Sequence, residues 1–281
     1  MGRIQRVVYG VTQSADLALA ACGDCHLRAW SKRDGGLVLE METPDNMEAY
    51  AVAVQGKLAA VGTSAGGLFL IDMASAAVLH ALKGHSHGVM GVLFDGNEII
   101  SVSWDKTVRA WDTISGRETL RIDAGAWVWS VAAHENQLVA GLEDNTVRVF
   151  DRASGGPRHV LTEATGEVYA VAIDAQRMVS GSDDNKVRVY AVPSFQLVRV
   201  LEGHTKWVRS VALEGDCVVS ASADNKVRLW DARSGDALHV LRGHSNTVQS
   251  VSLLGSEIVS GSVDKSVRIW DAETGASTRV L

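Results

Sequence analysis

The residues best equipped for chemistry in this chain are a cysteine pair beside a histidine, and a set of histidines, serines and aspartates that recur at fixed spacing. Cys22-Gly-Asp-Cys25-His26 has the form of a c-type haem attachment segment, two thiols and an imidazole on one short stretch. His85, His204 and His244 each stand 16 residues before a serine (Ser101, Ser220, Ser260) and 20 before an aspartate (Asp105, Asp224, Asp264). Those are the residue types of a hydrolytic triad. An arginine also recurs, as Arg28, Arg109, Arg148, Arg188, Arg228 and Arg268, and arginine is a common partner of phosphate.

Repetition weighs against each chemical reading. An active site is normally built once, so three copies of one spacing read as structural hydrogen bonding. Six arginines at one position of the repeat read as packing and surface pairing. In the cysteine segment, Asp24 aligns with the recurring aspartate and Cys22 with a small residue before it. Haem attachment also requires export, and MGRIQRVVYG has no long apolar run ending in a small-residue cleavage site. Three cysteines in 281 residues make no disulfide framework. No glycine-rich loop leads from a strand into a helix, so no nucleotide site is indicated. No unique nucleophile, metal cluster or paired carboxylate stands out. The expectation is no cofactor and no catalysis, with an enzyme as a remote alternative. A formal net charge of −6 offers no basic field to nucleic acid or an anionic membrane. No run of about 18 uncharged apolar residues suggests a membrane helix. A soluble protein of the cytoplasm, or of the nucleus, is expected.

The elements that carry these residues are repeated. SASADNKVRLWDARSG from Ser220 aligns with SGSVDKSVRIWDAETG from Ser260. Working backwards gives an anchor residue at Trp30, Ile71, Trp111, Phe150, Tyr190, Trp230 and Trp270, in steps of 41, 40, 39, 40, 40 and 40. Each unit reads as strands. In the sixth, Val208 to Leu213 alternates, Cys217 to Ser222 is apolar or small, Val227 to Trp230 alternates, and Ala237 to Leu241 follows. Asp144-Asn145, Asp184-Asn185 and Asp224-Asn225 suit tight hairpins. Gly116, Gly155, Gly235 and Gly275 supply a left-handed turn before the last strand. Second strands such as Ser260-Gly261-Ser262 are small, as expected where neighbouring sheets press from both sides. Four short strands at this period form one blade. The expected fold is all-β: a seven-bladed β-propeller with four antiparallel strands per blade. It fills a single domain, 1–281, with blades at about 5–42, 43–82, 83–122, 123–161, 162–201, 202–241 and 242–281.

These units resemble the WD-repeat β-propellers. Gly84-His85, Gly203-His204 and Gly243-His244 are each followed, 26 positions after the histidine, by Trp-Asp. The resemblance covers all seven units. It implies a structural hydrogen-bond chain of His85, Ser101, Asp105 and Trp111 within one blade, of His204, Ser220, Asp224 and Trp230 in another, and of His244, Ser260, Asp264 and Trp270 in a third. Blades one, four and five lack the histidine, and blade two has Ala65 and Ile71 at the aspartate and tryptophan positions. Blades two and four are therefore expected to be less firmly held. WD-repeat rings are usually sealed by a strand exchanged between the termini. Here the first unit starts at its inner strand near Val7 and the last finishes its outer strand near Leu281. That leaves closure by packing of blade one on blade seven, or a trimmed domain. There is a weaker resemblance to the propellers of F-box WD-repeat receptors. The stretch ending at Arg233 resembles a box by which some WD-repeat proteins dock on a cullin-ligase adaptor.

Repeated positions build a scaffold, so function belongs where the copies diverge. The resemblance puts three variable positions per blade on the narrow face of the ring. One reads Tyr9, Tyr50, Met90, Trp129, Tyr169, Arg209 and Gln249. The second, two residues earlier, includes Trp127, Glu167 and Trp207. The third, before the recurring aspartate, includes Trp104, Glu143 and Asp183. Of 16 aromatic residues, six are anchors and seven fall at these positions. Trp, Tyr, Met and Arg are enriched in binding hot spots. Only Arg209 is an obvious cation here, whereas a phosphopeptide reader wants several converging arginines. The expected partner is a protein or peptide with an apolar or basic segment, a Lys or Arg lying over an aromatic face. The expected function is a monomeric interaction scaffold or adaptor. The alternative is the substrate-receptor module of a cullin-type ubiquitin ligase, docking through Arg233.

Overall fold

Each unit folds as one antiparallel sheet whose strands pair in chain order, and the sheets stand around a common channel. The computed structural model describes residues 4–281, and among them there are seven four-stranded sheets and no helix. The first strands are Val8–Gln13, Ala49–Gln55, Val89–Asp95, Val128–His134, Val168–Ile173, Val208–Glu214 and Val248–Leu254. Each of them touches the first strand of both neighbouring blades, so together they line the channel. Outer strands are largely exposed; Gln196–Leu201 is exposed at every residue but its last. The expected seven-bladed propeller is the fold observed.

The second strands explain the small residues. Leu17–Cys22, Leu58–Thr63, Glu98–Ser103, Gln137–Leu142, Arg177–Ser182, Cys217–Ser222 and Glu257–Ser262 share one burial pattern, half-buried at the first residue and buried at every other. Both faces are covered, one by each neighbouring blade. A Cβ on Gly261 would lie 2.5 Å from Val8 Cγ1 and 2.6 Å from Val11 Cγ1 of blade one. A Cβ on Gly181 would lie 2.6 Å from Val208 Cγ1.

Turn chemistry is equally regular. The hairpin between second and third strands has a residue in the left-handed region five positions before the anchor: Cys25, Gly66, Lys106, Asn145, Asn185, Asn225 and Lys265, with φ from 64° to 89°. Five positions after the anchor the same region recurs, at the four expected glycines and Gly35, and at Ala76 and Phe195 in blades two and five. Asparagine and glycine tolerate this conformation best. That lysine, cysteine, alanine and phenylalanine accept it shows the surrounding sheet deciding the turn.

The ring closes by side-by-side packing, without exchange of a strand among the described residues. Val8 and Val11 of blade one share a core with Val259, Val267 and Ile269 of blade seven. Val11 N donates to Ser250 Oγ at 3.0 Å, and Gln13 Nε2 donates to the carbonyls of Ser252 and Glu257 at 3.1 and 3.2 Å. The Lys32 ammonium, almost wholly buried, meets Glu257 at 2.5 Å. The last strand, Ser277–Val280, pairs inside its own blade.

Candidate functional site

The first strand of every blade carries a β-bulge near its start. In each, the ladder skips one residue: Tyr9, Tyr50, Met90, Trp129, Tyr169, Arg209 and Gln249. A bulge leaves the extra residue unpaired and re-aims its side chain. These seven are the divergent residues singled out from sequence, and all seven line one cavity of about 400 Å³ at the mouth of the channel. The other two variable positions are joined to each other by the backbone. Glu143 N donates to the Trp127 carbonyl at 3.1 Å, Asp183 N to that of Glu167 at 2.9 Å, and Trp104 N to that of Gly88 at 3.1 Å. Residues 16 apart in sequence therefore sit side by side, next to the bulge.

The aromatic residues form an unbroken arc over six blades. Ring centroids are 4.8 Å apart for Tyr9–Tyr50, 6.0 Å for Tyr50–Trp104, 5.5 Å for Trp104–Trp129, 5.1 Å for Trp129–Tyr169 and 6.3 Å for Tyr169–Trp207. Trp127 joins from the rim, 5.9 Å from Trp104. Most pairs are edge-to-face, the arrangement the ring quadrupole favours. Trp127 and Trp207 remain 43% and 45% exposed, so the arc packs on itself and still offers ring surface to solvent. The indole N–H groups of Trp104 and Trp129 are buried without a hydrogen-bond partner of ordinary geometry.

Charge at the mouth is acidic on one side. Burial pushes the Glu167 carboxyl above the ordinary range, and the nearby Asp183 and Glu143 push it further. Asp183 is likewise raised, chiefly by burial, against the pull of Arg209. Burial holds the Tyr169 hydroxyl up at about 12. The Arg209 guanidinium lies over two rings, with Cζ 4.4 Å from the Tyr169 centroid and 4.9 Å from that of Trp207.

The recurring His-Ser-Asp set lies away from the mouth cavity and forms three hydrogen-bond chains. The donor-only indoles of Trp111, Trp230 and Trp270 each donate to a serine Oγ at 2.8 Å. That serine lies 2.8 Å from His Nε2 in each blade. His Nδ1 lies 2.8, 2.9 and 2.8 Å from Asp105, Asp224 and Asp264. Donation thus runs from indole to serine, serine to imidazole, and imidazole to carboxylate. No serine in this arrangement is free to attack a substrate. The recurring arginines pair as packing residues do: Arg28 with Asp24 and Glu40, Arg109 with Glu118, Arg188 with Asp184, while Arg228 and Arg268 lie over Trp230 and Trp270.

Two further motifs take their places in the blades. Cys22 is a fully buried strand residue, its thiol raised to about 12 by burial, and Cys25 occupies the left-handed hairpin position. Arg233 is exposed and paired with Asp216 at 2.8 Å. One substitute chain went unread in the sequence. In blade two, Asp45 stands at the histidine position and accepts from Thr63 Oγ1 at 2.6 Å. Also unread were Ser130, Ser210 and Ser250, next to the bulge, whose hydroxyls accept from the backbone N–H of Val171, Val251 and Val11 in the following blade. The recurrence of Val-x-Ser in VWS, VRS and VQS was the signal.

A family model described as WD domain, G-beta repeat matches residues 76–112, 155–191, 195–231 and 235–271, a little over half of the chain. Each window runs from the last strand of one blade to the anchor of the next, and the three blades with a complete His-Ser-Asp-Trp chain are all included. An F-box/WD-40 repeat-containing protein of Arabidopsis thaliana is 27% identical over 164 residues, covering 54% of this chain and 30% of the relative. Cell division control protein 4 of Saccharomyces cerevisiae is 37% identical over 84 residues, covering 28% of this chain and 11% of the relative. This chain therefore spans less than a third of the length of either. Among solved structures, the WD40 β-propeller domain of Doa1 superposes with a TM-score of 0.85 at 22% identity, over 96% of this chain and 93% of that one. The computationally designed Ika8 protein does so with 0.81 at 23%, over 100% and 88%. At such identity the likeness speaks to the fold alone. Matched repeats, seven four-stranded blades and the His-Ser-Asp-Trp chains together place this chain in the WD40 repeat family.

Proposed function

We propose that this chain is an interaction scaffold or adaptor that holds a protein or peptide over the mouth of its channel. WD40 propellers typically mediate protein–protein interaction. One observation supports this particular face: the arc of aromatic side chains, Tyr9 through Trp207, four of them borne on bulges, at the mouth beside Glu143, Glu167 and Asp183. Burying one large aromatic side chain contributes about 1.5–3 kcal/mol. Two or three engaged together support a useful affinity. Aromatic faces beside carboxylates favour an apolar or basic segment. The residues at the mouth suit binding rather than catalysis, since none pairs a nucleophile with a base. The test is recovery of partners from lysate by the wild type and by Trp129→Ala/Tyr169→Ala. Loss of partners from a folded double variant is expected; undiminished recovery would overturn the reading.

The likeness to an F-box/WD-40 repeat-containing protein supports a second reading, the substrate-receptor module of a cullin-type ligase. Co-purification with a cullin adaptor, lost on Arg233→Ala, would favour it.

A further inference from the structure

We propose that Arg209 fills, from within the chain, the seat that a cationic side chain of the partner would take, and so restrains binding at the mouth. This rests on the reading of the mouth as the partner site. Arg209 stands at the bulge position, where every other blade has an uncharged residue. Its guanidinium covers the Tyr169 and Trp207 rings, the placement expected of an incoming Arg or Lys. Yet it is not built in like the recurring arginines, most of which bond to a carboxylate or a carbonyl. Among the described residues Arg209 makes no hydrogen bond or ion pair, and its buried Nε has no partner. What holds it is ring stacking and the field of Glu167 and Asp183.

Charge complementarity identifies the competitor. Of the charged groups around the mouth, Arg6 and Glu48 pair with each other at 3.4 Å. Arg209 is the cation whose charge acts on both Glu167 and Asp183, with Glu143 beside them, so the acidic side is only partly neutralised. Both Glu167 and Asp183 are raised by burial and relieved by Arg209, which places the guanidinium in their field. A second cation entering this seat gains the same rings and carboxylates but meets Arg209 at close range. One like charge about 4 Å away weakens binding roughly fivefold in bulk water, and more in a half-buried site.

The probe is a nine-residue oligoarginine peptide, with oligoglutamate as the opposite charge, titrated at low salt and followed by tryptophan fluorescence and calorimetry. Arg209→Leu is expected to bind oligoarginine more tightly than wild type by roughly fivefold or more. Arg209→Gln should show the same gain and serves if the leucine variant folds poorly. Arg209→Lys should stay near wild type. Adding Glu167→Gln/Asp183→Asn to Arg209→Leu should reverse the gain. Equal affinity of wild type and both neutral variants overturns the self-filled seat. If Glu167→Gln/Asp183→Asn still weakens that binding, the mouth stands as a cation site. Weaker oligoarginine binding by the neutral variants, or wild-type binding of oligoglutamate that they lose, also overturns it, assigning Arg209 to an anionic partner. Absence of oligoarginine binding to every variant overturns the cation seat itself.

Discussion

At the scale of single residues, the same serine has different worth in different blades. Ser260 serves two partners, the Trp270 indole and His244. Removing its hydroxyl leaves the buried Trp270 N–H and His244 Nε2 unpaired, which costs about 1–3 kcal/mol. Ser180, at the same position in blade five, faces Tyr190 in place of tryptophan and has no histidine, and its hydroxyl makes no hydrogen bond of ordinary geometry. Urea denaturation should therefore show Ser260→Ala clearly destabilised and Ser180→Ala close to wild type. The chains also set a pH dependence. Burial alone would raise the three aspartates, but hydrogen bonds from the histidines, turn hydroxyls and backbone N–H groups overcome it. Asp224 is held at about 2, and Asp105 and Asp264 are also lowered. Their stabilisation is complete above about pH 4, the unfolded value, and is lost as pH falls through the folded values. His244 is lowered too, chiefly by burial, against the pull of Asp264. The unfolded imidazole takes a proton near pH 6.5 that the folded one resists, so stability begins to fall below that pH. Urea midpoints should drop from pH 7 to 5 and again below 4. His244→Gln should flatten the first drop. The spacing of these residues was legible in the sequence because four side chains in fixed register repeat at fixed separations. The Asp45–Thr63 substitute was not, since an aspartate at a histidine position has meaning only once Thr63 is seen beside it.

At the scale of elements, the bulge and the hairpin do different work. The hairpin keeps the second and third strands in register around a left-handed residue, and sequence showed this wherever Asp-Asn occurs. The bulge at the start of each first strand turns one side chain per blade toward the channel mouth. The bulged residue itself carries no signature, because the seven are of five types, although a valine precedes it in six blades and a small residue follows it in all seven. Their divergence marked them, and divergence alone does not say where a side chain points. Close packing between elements is the complementary constraint. A Cβ added to Gly261 would meet Val8 and Val11 of blade one at 2.5–2.6 Å. Gly261→Val should cost at least about 1–3 kcal/mol through overpacking, and it should do so by loosening the contact of blades seven and one. Hydrogen exchange of Val8–Gln13 and Glu257–Ser262 would rise ahead of the other blades; uniform exchange would count against this.

At the scale of the whole molecule, the closure between blades one and seven is the point where chain connectivity gives no help. Hydrogen bonds from Val11 and Gln13, a shared apolar core and the Lys32–Glu257 pair hold it. Lys32 is almost wholly buried and also donates to Gln13 Oε1 and to the Ser14 carbonyl, both at 3.1 Å. Lys32→Ala strands these acceptors and should lower the urea midpoint more than Arg233→Ala, whose partner Asp216 is half open to solvent and also pairs with Arg177. The sequence by itself determined the number of blades, their strands and their turns, because each depends on local period, and the resemblance to WD-repeat propellers implied the hydrogen-bonded chains. Only the tertiary structure decided that Tyr9 through Trp207 join into one arc, that Arg209 stacks on Tyr169 and Trp207, and that the ring seals by packing. Those contacts cross blades, and in a ring the residues nearest in space can be about 240 positions apart in the chain, as Val11 and Ser250 are.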